Sequence, residues 1–501
     1  MLDVTNRYAG ILLPVFSLPG PYGAGTFGKS AYDFADFLED AGQSLWQILP
    51  LNSAGGGNSP YSVYSSFAGN PLFIDPALLA EDGLLTEGEL SDFAALPCCR
   101  QRGKVDYVNL VPAKSALLEK AADRGLAKKE EAFEAFRKAE ASWLSGYALY
   151  MACREYYNGA AWLDWPEDIR LRKPEALKKH ADALADRIAV TEYIQYLFFK
   201  QWKALKEYAN GKGVLIIGDM PVYVSLDSAD VWSEPSMFEL DEKNCPKETA
   251  GVPPDYFSEE GQLWGNPLYD WEKMKDDGYG WWIRRVDAAF RLYDVLRIDH
   301  FRGLASYWAV KSGAESAKEG RWRPGPGMDL VSVLTGWFYD RQFIAEDLGI
   351  LTPDVYELLE KSGLPGMKVL EFAFDPASES SYLPHRYGKN CVCYVGTHDN
   401  TTARDWFEHA EDAERRKAAA YLGLNEEEGI AAGLIRGGMA SAAFIFVAQM
   451  ADWLCLGAEG RINVPGVPEG NWAWRMEGDV LTPSLAEKIR YMTEITGRSR
   501  R

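Results

Sequence analysis

Short apolar runs that suit buried strands recur along the chain and alternate with helical patterns. The first two are Gly10-Ile11-Leu12-Leu13 and the run from Ser44 to Leu49, with a predicted helix from Tyr32 to Ala41 between them. A third run, from Val214 to Gly218, is apolar throughout, as expected of a parallel strand buried on both faces. An eighth strand is predicted within 442–447. Strands four to seven are predicted to end near Ile298, Ala345, Leu370 and Val395. This alternation predicts an α/β fold, the (β/α)8 TIM barrel.

The chain is longer than a barrel requires, because 501 residues compare with about 250 for the bare fold. Residues 1–75 are expected to begin the barrel and to carry a binding loop rich in Gly, Ser and Tyr. Residues 76–210 have helical spacing and predict a mainly helical subdomain inserted between strands two and three. Residues 211–501 would complete the barrel, with a long irregular binding loop at about 223–280.

Three predicted strands are each followed by an acidic side chain. The acids are Asp299, Glu346 and Asp399. Because the active site of such a barrel is built from the carboxyl ends of its strands, we expect these side chains to converge. A single acid is more simply explained as a surface ion pair or a helix cap, but three acids after apolar strands would be costly to bury without a function. Carboxylates grouped in this way favour chemistry at a glycosidic bond.

Short motifs follow one another in a fixed order along nearly the whole chain. They include Leu18-Pro19-Gly20-Pro21-Tyr22-Gly23, Asn58-Ser59-Pro60-Tyr61, Phe67-Ala68-Gly69-Asn70-Pro71, Gly218-Asp219-Met220-Pro221, Leu263-Trp264-Gly265-Asn266-Pro267, Arg297-Ile298-Asp299-His300-Phe301-Arg302-Gly303, Ala345-Glu346-Asp347-Leu348-Gly349, Gly396-Thr397-His398-Asp399-Asn400 and Gly470-Asn471-Trp472. As an ordered set they resemble the amylomaltase family, the 4-α-glucanotransferases or disproportionating enzymes of the α-amylase clan. The sequence departs from the usual family motifs at residues 14–17 and at Val464, and neither departure involves one of the three acids.

The resemblance implies a role for each acid. Asp299 would be the nucleophile, Glu346 the acid and base, and Asp399 the group that holds sugar hydroxyls and stabilises the oxocarbenium-like state. Arg297 projects from the same strand face as Asp299 and is expected to keep it ionised. The substrate-binding residues are expected to be Ser59, Tyr61, Asp219, Tyr256, Phe257, Trp264, Arg297, His300, His398 and Asn463. No metal or cofactor is expected.

The implied activity is transfer of α-1,4-glucan segments between maltooligosaccharides, starch or glycogen by a retaining double displacement. Glucose and maltooligosaccharides would be the acceptors. Two alternatives remain at this point: an α-amylase-like hydrolase with the same acids, and a glucan-binding protein without activity. Maltotriose would distinguish the transferase from the hydrolase, because a transferase makes glucose and longer maltooligosaccharides, whereas a hydrolase makes glucose and maltose.

Composition excludes several classes of partner. The formal charge of −20 argues against nucleic acid and anionic membranes, both of which favour positive surfaces. The apolar run 439–450 is shorter than the roughly 20 residues that span a bilayer. The first seven residues lack the cationic start and apolar core of a signal peptide, so we expect a cytoplasmic protein. The seven cysteines have no zinc-site spacing and are expected to be free thiols. The sequence does not predict the oligomeric state.

Overall fold

A computed structural model describes residues 2–254, 259–349, 351–377, 380–467 and 469–499, and twelve strands and twenty α-helices lie within them. The strands are β1 (Tyr8–Leu12), β2 (Leu45–Gln47), β3 (Leu215–Pro221), β4 (Glu248–Val252), β5 (Gln262–Pro267), β6 (Val295–Asp299), β7 (Ser306–Lys311), β8 (Arg321–Pro324), β9 (Gln342–Ala345), β10 (Gly366–Val369), β11 (Cys391–Tyr394) and β12 (Ile445–Gln449). The helices are α1 (Lys29–Asp40), α2 (Pro76–Glu81), α3 (Glu87–Ala94), α4 (Pro97–Arg100), α5 (Tyr107–Lys128), α6 (Glu131–Ala139), α7 (Leu144–Tyr156), α8 (Glu167–Arg170), α9 (Pro174–Ala183), α10 (Ala185–Gly211), α11 (Ala229–Ser233), α12 (Trp271–Asp276), α13 (Gly280–Leu292), α14 (Gly327–Trp337), α15 (Pro353–Ser362), α16 (Ala403–His409), α17 (Asp412–Leu422), α18 (Ile430–Ala440), α19 (Met450–Trp453) and α20 (Pro483–Ile495).

Eight parallel strands form the central sheet in the order β10-β11-β12-β1-β2-β3-β6-β9. The first and last barrel strands pair, because β1 runs beside β12 with Tyr8 opposite Ile445. The two ends of the order, β9 and β10, meet through the Ala345 N–H, which donates to the Pro365 carbonyl at 2.9 Å. Next to it, Asp347 Oδ1 accepts the Met367 N–H at 2.5 Å, so a side chain takes the place of a backbone acceptor. The sheet is a nearly closed barrel, and the eight predicted strands are confirmed.

The predicted helical segment between strands two and three is present as α2–α10. Its last helix, α10, packs on the barrel along the face that sequence spacing predicts. On that face Phe198, Trp202, Leu205 and Ala209 are at most 1% exposed. The Trp202 indole also donates from Nε1 to the Leu292 carbonyl at 3.0 Å, which ties the insertion to the helix before β6. That residues 76–210 form a separate domain stays a prediction.

The segment 223–280 differs from the expected irregular loop. It contains α11, β4, β5 and α12, and β4 lies between β5 and β7 in a second, antiparallel sheet of order β5-β4-β7-β8. The partner strands β7 and β8 come from the insertion between β6 and β9, far along the chain. Short strands with glycine at 251 and 265 carry a weak alternating pattern, and their pairing is non-local, so sequence reading missed them. Tyr256 and Phe257 lie outside the described residues.

Helices that cross a bilayer need both length and apolar character. Among the helices that the structure describes, none combines the two.

We expect the packing of α10 on the barrel to carry much of the stability of the insertion. Trp202→Ala should lower the free energy of unfolding by about 3–5 kcal/mol, because it leaves a cavity and an unpaired Leu292 carbonyl. Val108→Ala, on a face of α5 where the side chain is 82% exposed, is the matched control and should change stability by less than about 0.5 kcal/mol. Urea denaturation measures both; equal midpoints for the two variants would contradict this account.

Candidate active site

Two of the predicted acids are joined through the backbone at the carboxyl ends of β6 and β9. Asp299 is the last residue of β6, and the N–H of the next residue, His300, donates to Glu346 Oε2 at 2.7 Å. The other oxygen of Glu346 accepts the Leu348 N–H, also at 2.7 Å. His300 has a left-handed backbone, with φ 53°, which is uncommon for a residue other than glycine and is found at functional sites. The carboxyl group of Glu346 is therefore fixed at both oxygens beside Asp299.

A buried arginine contacts the nucleophile candidate. Arg297 is 3% exposed, and its Nη1 lies 2.8 Å from Asp299 Oδ1 and 2.5 Å from Asp219 Oδ2. The contact with Asp219 follows from strand register, because the two residues are opposite each other where β3 pairs with β6. Burial raises the pKa of Asp299, and the Arg297 guanidinium opposes that rise. The side chain of Asp299 is 28% exposed, so it faces the cleft while Asp219 is buried behind it.

A chain of hydrogen bonds continues from Asp219 to His398, the neighbour of the third acid. The Tyr61 hydroxyl donates to Asp219 Oδ2 at 2.7 Å and lies 2.8 Å from His398 Nε2. Because the single hydroxyl proton is used at Asp219, His398 must donate from Nε2 to the Tyr61 oxygen. Burial lowers the pKa of His398, which favours this neutral imidazole. His398 Nε2 is 3.4 Å from Asp399 Oδ2, and Asn463 Nδ2 donates to Asp399 Oδ1 at 2.6 Å.

Two clefts meet at Asp299. The larger, of about 710 Å³, extends past His300 and Trp264. The smaller, of about 370 Å³, extends past Asp399 and Asn463. Ser59, Tyr61 and Asp299 line both. A chain-like ligand that occupied both clefts would therefore pass directly over the Asp299 carboxylate.

Aromatic rings border the clefts on both sides of the acids. Trp264 is 37% exposed and meets the His300 ring edge-on, with centroids 4.8 Å apart. Burial, with a further contribution from Arg302, lowers the pKa of His300 to about 3, so this imidazole is neutral. Tyr61 stacks on His398 with centroids 5.3 Å apart. Exposed indole and phenol faces are surfaces on which the apolar face of a sugar ring packs.

The two acids at the junction differ in what stabilises their charge. Asp299 touches a guanidinium, whereas Glu346 accepts two neutral backbone N–H groups and is 8% exposed. Burial raises the pKa of Glu346, and Arg297 and the two N–H groups oppose the rise. Burial raises the pKa of both acids, but only Asp299 contacts a guanidinium directly, so we expect a proton shared between them to lie on Glu346. An ionised acid beside a protonated one is the arrangement of a retaining glycosidase pair.

The structure divides the predicted site residues other than Glu346 into two groups. Glu346 is 8% exposed and lines neither cleft, but it accepts the N–H of His300, which lines the larger one. The first group lines the clefts: Ser59, Tyr61, Trp264, Asp299, His300, Asp399 and Asn463. The second, Asp219, Arg297 and His398, is at most 3% exposed and holds the first group in place. For Asp219, the structure places Oδ2 between Arg297 and Tyr61, where it supports other side chains, and binding to sugar hydroxyls stays a prediction. Tyr256 and Phe257 lie among residues that the structure does not describe.

Two residues near the third acid were not predicted. Trp472, whose backbone φ is 62°, lies with its ring 5.7 Å from Tyr61 and lines the smaller cleft. Arg461 donates from Nε to the Asn463 carbonyl at 2.9 Å and from Nη2 to the Asp399 carbonyl at 3.4 Å. The Gly470-Asn471-Trp472 motif was the available signal for Trp472; Arg461 had none.

Within the described residues, no three His, Cys, Asp or Glu side chains are grouped so as to hold a metal ion.

Comparison with known proteins gives one family. The family model described as 4-alpha-glucanotransferase matches residues 13–482. The chain is 46% identical over 486 residues to the 4-alpha-glucanotransferase of Clostridium butyricum, covering 97% of this chain and 99% of that protein. It is 45% identical over 504 residues to that of Thermus thermophilus, covering 98% and 99%. Its fold is similar to an amylomaltase from Streptococcus agalactiae in complex with acarbose, with a TM-score of 0.95 and 39% identity, covering 99% of this chain and 100% of that one.

Removing the Arg297 guanidinium should shift the acidic limb of the pH dependence of kcat/KM. Asp299 must be ionised to act, so activity is lost as pH falls through its pKa, which Arg297 holds down. Arg297→Met should therefore move the acidic limb of kcat/KM to higher pH, and should also destabilise the protein by about 3–5 kcal/mol by leaving buried carboxylates unpaired. Arg297→Lys keeps the charge without the forked geometry, so its limb should move less. An unchanged limb in folded Arg297→Met would contradict the assignment.

Proposed function

Because the chain belongs to the 4-alpha-glucanotransferase family, we propose that it transfers α-1,4-glucan segments by a retaining double displacement through a covalent glycosyl-enzyme. The observation that carries this mechanism is the position of Asp299. It lies where the two clefts meet, in contact with a buried guanidinium and beside an acid that has no such contact. The related hydrolase would use the same acids, but the comparisons favour the transferase.

In the first step, an Asp299 oxygen forms a bond to the anomeric carbon as the bond from that carbon to the glycosidic oxygen breaks. Glu346 gives its proton to the departing oxygen, and the shortened glucan leaves with a free 4-hydroxyl. Asp399 accepts hydrogen bonds from hydroxyls of the ring that remains and favours its oxocarbenium-like state. Asn463, whose Nδ2 donates to Asp399 Oδ1, holds Asp399 in orientation for this role.

In the second step, the ionised carboxylate of Glu346 acts as a base. The 4-hydroxyl of an acceptor sugar loses its proton to Glu346 and attacks the anomeric carbon, and the bond to Asp299 breaks. Two inversions at the same carbon return an α-linkage. Retention requires the two carboxyl groups to be about 5–5.5 Å apart, and that separation stays a prediction.

The two clefts take different parts of the substrate in this proposal. Glu346 must reach the glycosidic oxygen, and the group that positions it, His300, lines the larger cleft. The leaving glucan and then the acceptor would therefore occupy the larger cleft, beside Trp264. The sugar bound to Asp299 would occupy the smaller cleft, where Asp399 and Asn463 lie.

The substrates are proposed from chemistry and from relatives. The Streptococcus agalactiae amylomaltase is described in complex with acarbose, which supports a glucan-like ligand in the corresponding cleft here. Maltooligosaccharides, starch and glycogen are the proposed donors, and glucose and maltooligosaccharides the acceptors. The mechanism requires no cofactor. Location in the cytoplasm stays a prediction of the sequence.

An activated donor separates the roles of the two acids. Glu346→Gln should lower turnover of maltotetraose by about 10²–10⁴-fold, because protonation of the leaving oxygen is lost. With α-glucosyl fluoride, whose departure needs little protonation, fluoride release by this variant should recover. Asp299→Asn should fail on both donors, because no covalent bond forms. Equal losses of fluoride release in the two variants would show that the roles are wrongly assigned.

Substitution of Trp264 tests whether the larger cleft binds the acceptor. If its indole binds the acceptor sugar and keeps water from the glycosyl-enzyme, Trp264→Ala should lower the ratio of transfer to hydrolysis by about two- to tenfold, the range expected for one aromatic contact. Trp337→Ala, which removes a 65% exposed indole at the end of α14, is the control. Free glucose and total reducing ends from maltotetraose report the ratio, because only hydrolysis adds reducing ends. The same ratio in both variants would exclude Trp264 from acceptor choice.

A further inference from the structure

A second pair of acids lies buried beneath the loop that carries His398 and Asp399. Glu371 follows β10 and is 6% exposed, and Asp452 lies in α19 and is 1% exposed. One oxygen of each, Glu371 Oε1 and Asp452 Oδ2, has no hydrogen-bond partner among the residues that the structure describes. The mechanism above gives neither acid a role, although an unpaired buried carboxylate is costly.

These acids contact the two ends of the loop 396–403. At its start, a Cβ added to Gly396 would lie 2.6 Å from Glu371 Oε1, so the carboxyl group packs directly against the loop backbone. At its end, Asp452 Oδ1 accepts the Ala403 N–H at 2.7 Å. The buried Gln449 adds a contact between them, because its Nε2 donates to the Thr401 carbonyl at 3.2 Å.

The loop is also held by contacts within it and by neighbouring residues, among them Asn463 at Asp399 and the Leu456 carbonyl at the Thr402 hydroxyl. Asn400 Oδ1 accepts the Thr397 N–H at 3.0 Å and the Thr397 hydroxyl at 2.9 Å, which closes a turn around Asp399. Arg461 donates to the Asp399 carbonyl from outside this turn. The orientation of Asp399 thus depends on this turn, which rests on Glu371 and Asp452, together with the Asn463 side chain that donates to its carboxylate.

Several groups act on the protonation of the pair. Burial raises the pKa of Glu371, the charge of Asp452 raises it further, and Asp405 adds to the rise. The Asn400 side chain and Arg461 oppose it. Burial raises the pKa of Asp452 to about 7, although hydrogen bonds from the backbone N–H groups of Ala403 and Gln449 oppose this rise. Both acids are therefore more readily protonated than exposed carboxyl groups, and the proton is lost as pH rises through the raised pKa.

We propose that Glu371 and Asp452 are positioning residues that hold the loop 396–403, and with it Asp399, in the active orientation only while the pair retains a proton. When both acids ionise, two like charges in a dry environment repel each other, and Arg461 is drawn from the Asp399 carbonyl towards Glu371. The loop then loosens and Asp399 loses its place in the cleft. The proposal rests on the role of Asp399 in the proposed function.

The proposal predicts a loss of activity at alkaline pH that is not caused by ionisation of Glu346. Loss of the proton from Glu346 would also reduce activity at high pH, so the donor must be chosen to separate the two. With α-glucosyl fluoride, bond cleavage needs little protonation, and an alkaline fall in fluoride release that remains reports the pair.

The test compares amide variants that keep shape but cannot ionise. For α-glucosyl fluoride, kcat/KM is measured from about pH 5 to about pH 9, and Glu371→Gln and Asp452→Asn should each move the alkaline limb upward by about one unit, a tenfold higher relative rate at the alkaline end. Glu192→Gln is the matched control, because Glu192 is also buried with a raised pKa but lies in α10, paired with Arg137. Its limb should stay where it is in the unmodified chain. Limbs that do not move in either amide variant would overturn the proposal.

A second measurement needs no variant and does not depend on catalysis. Amide hydrogen exchange of the peptide that contains 396–403, corrected for the intrinsic effect of pH, should show less protection at about pH 9 than at about pH 6. Equal protection would overturn the proposal even if the variants fail to fold. If instead Asp399→Asn kept full kcat/KM while the loop still loosened, the proposed role of Asp399 would fail and the loop mechanism would stand.

Discussion

The buried guanidinium of Arg297 is the interaction on which the site depends. It contacts Asp219 and Asp299 from opposite strands of one pair, and it is 3% exposed. Removing three charged groups from water costs several kcal/mol for each ion, and their mutual attraction offsets that cost only with close geometry. The register of β3 on β6 supplies the geometry, because it sets Asp219 opposite Arg297. The guanidinium thus opposes the rise in the pKa of Asp299 that burial causes.

Other side chains at the cleft are positioned by backbone that departs from regular strands. His300 turns into the left-handed region as soon as β6 ends, which aims its N–H at Glu346 rather than along the sheet. Trp472 has a similar backbone beside Tyr61. Such conformations cost about 1–3 kcal/mol each, and the packed barrel beneath them holds them in place. Precision at the cleft therefore depends on rigidity in the strands below.

The sequence was informative where the determining interactions are local. Apolar runs of four to six residues located all eight barrel strands, and α10 was identified by its spacing. The acids could be found because each follows such a run. The second sheet could not, since β4 pairs with β7 across an insertion and two strand residues are glycines. Likewise, nothing local shows that Asp219 contacts Arg297, because that contact comes from strand pairing.

The acids at this end of the barrel share a residue type but differ in their partners, and the partner decides the chemistry. A guanidinium favours the ionised form of Asp299, neutral N–H groups contact Glu346, and an amide orients Asp399. Glu371 and Asp452 each have an oxygen without a partner among the described residues, so burial favours their protonated forms. Arg461 opposes that protonation at Glu371. In our proposal, the proton that Glu371 and Asp452 retain is therefore what keeps the loop 396–403, and with it Asp399, in place.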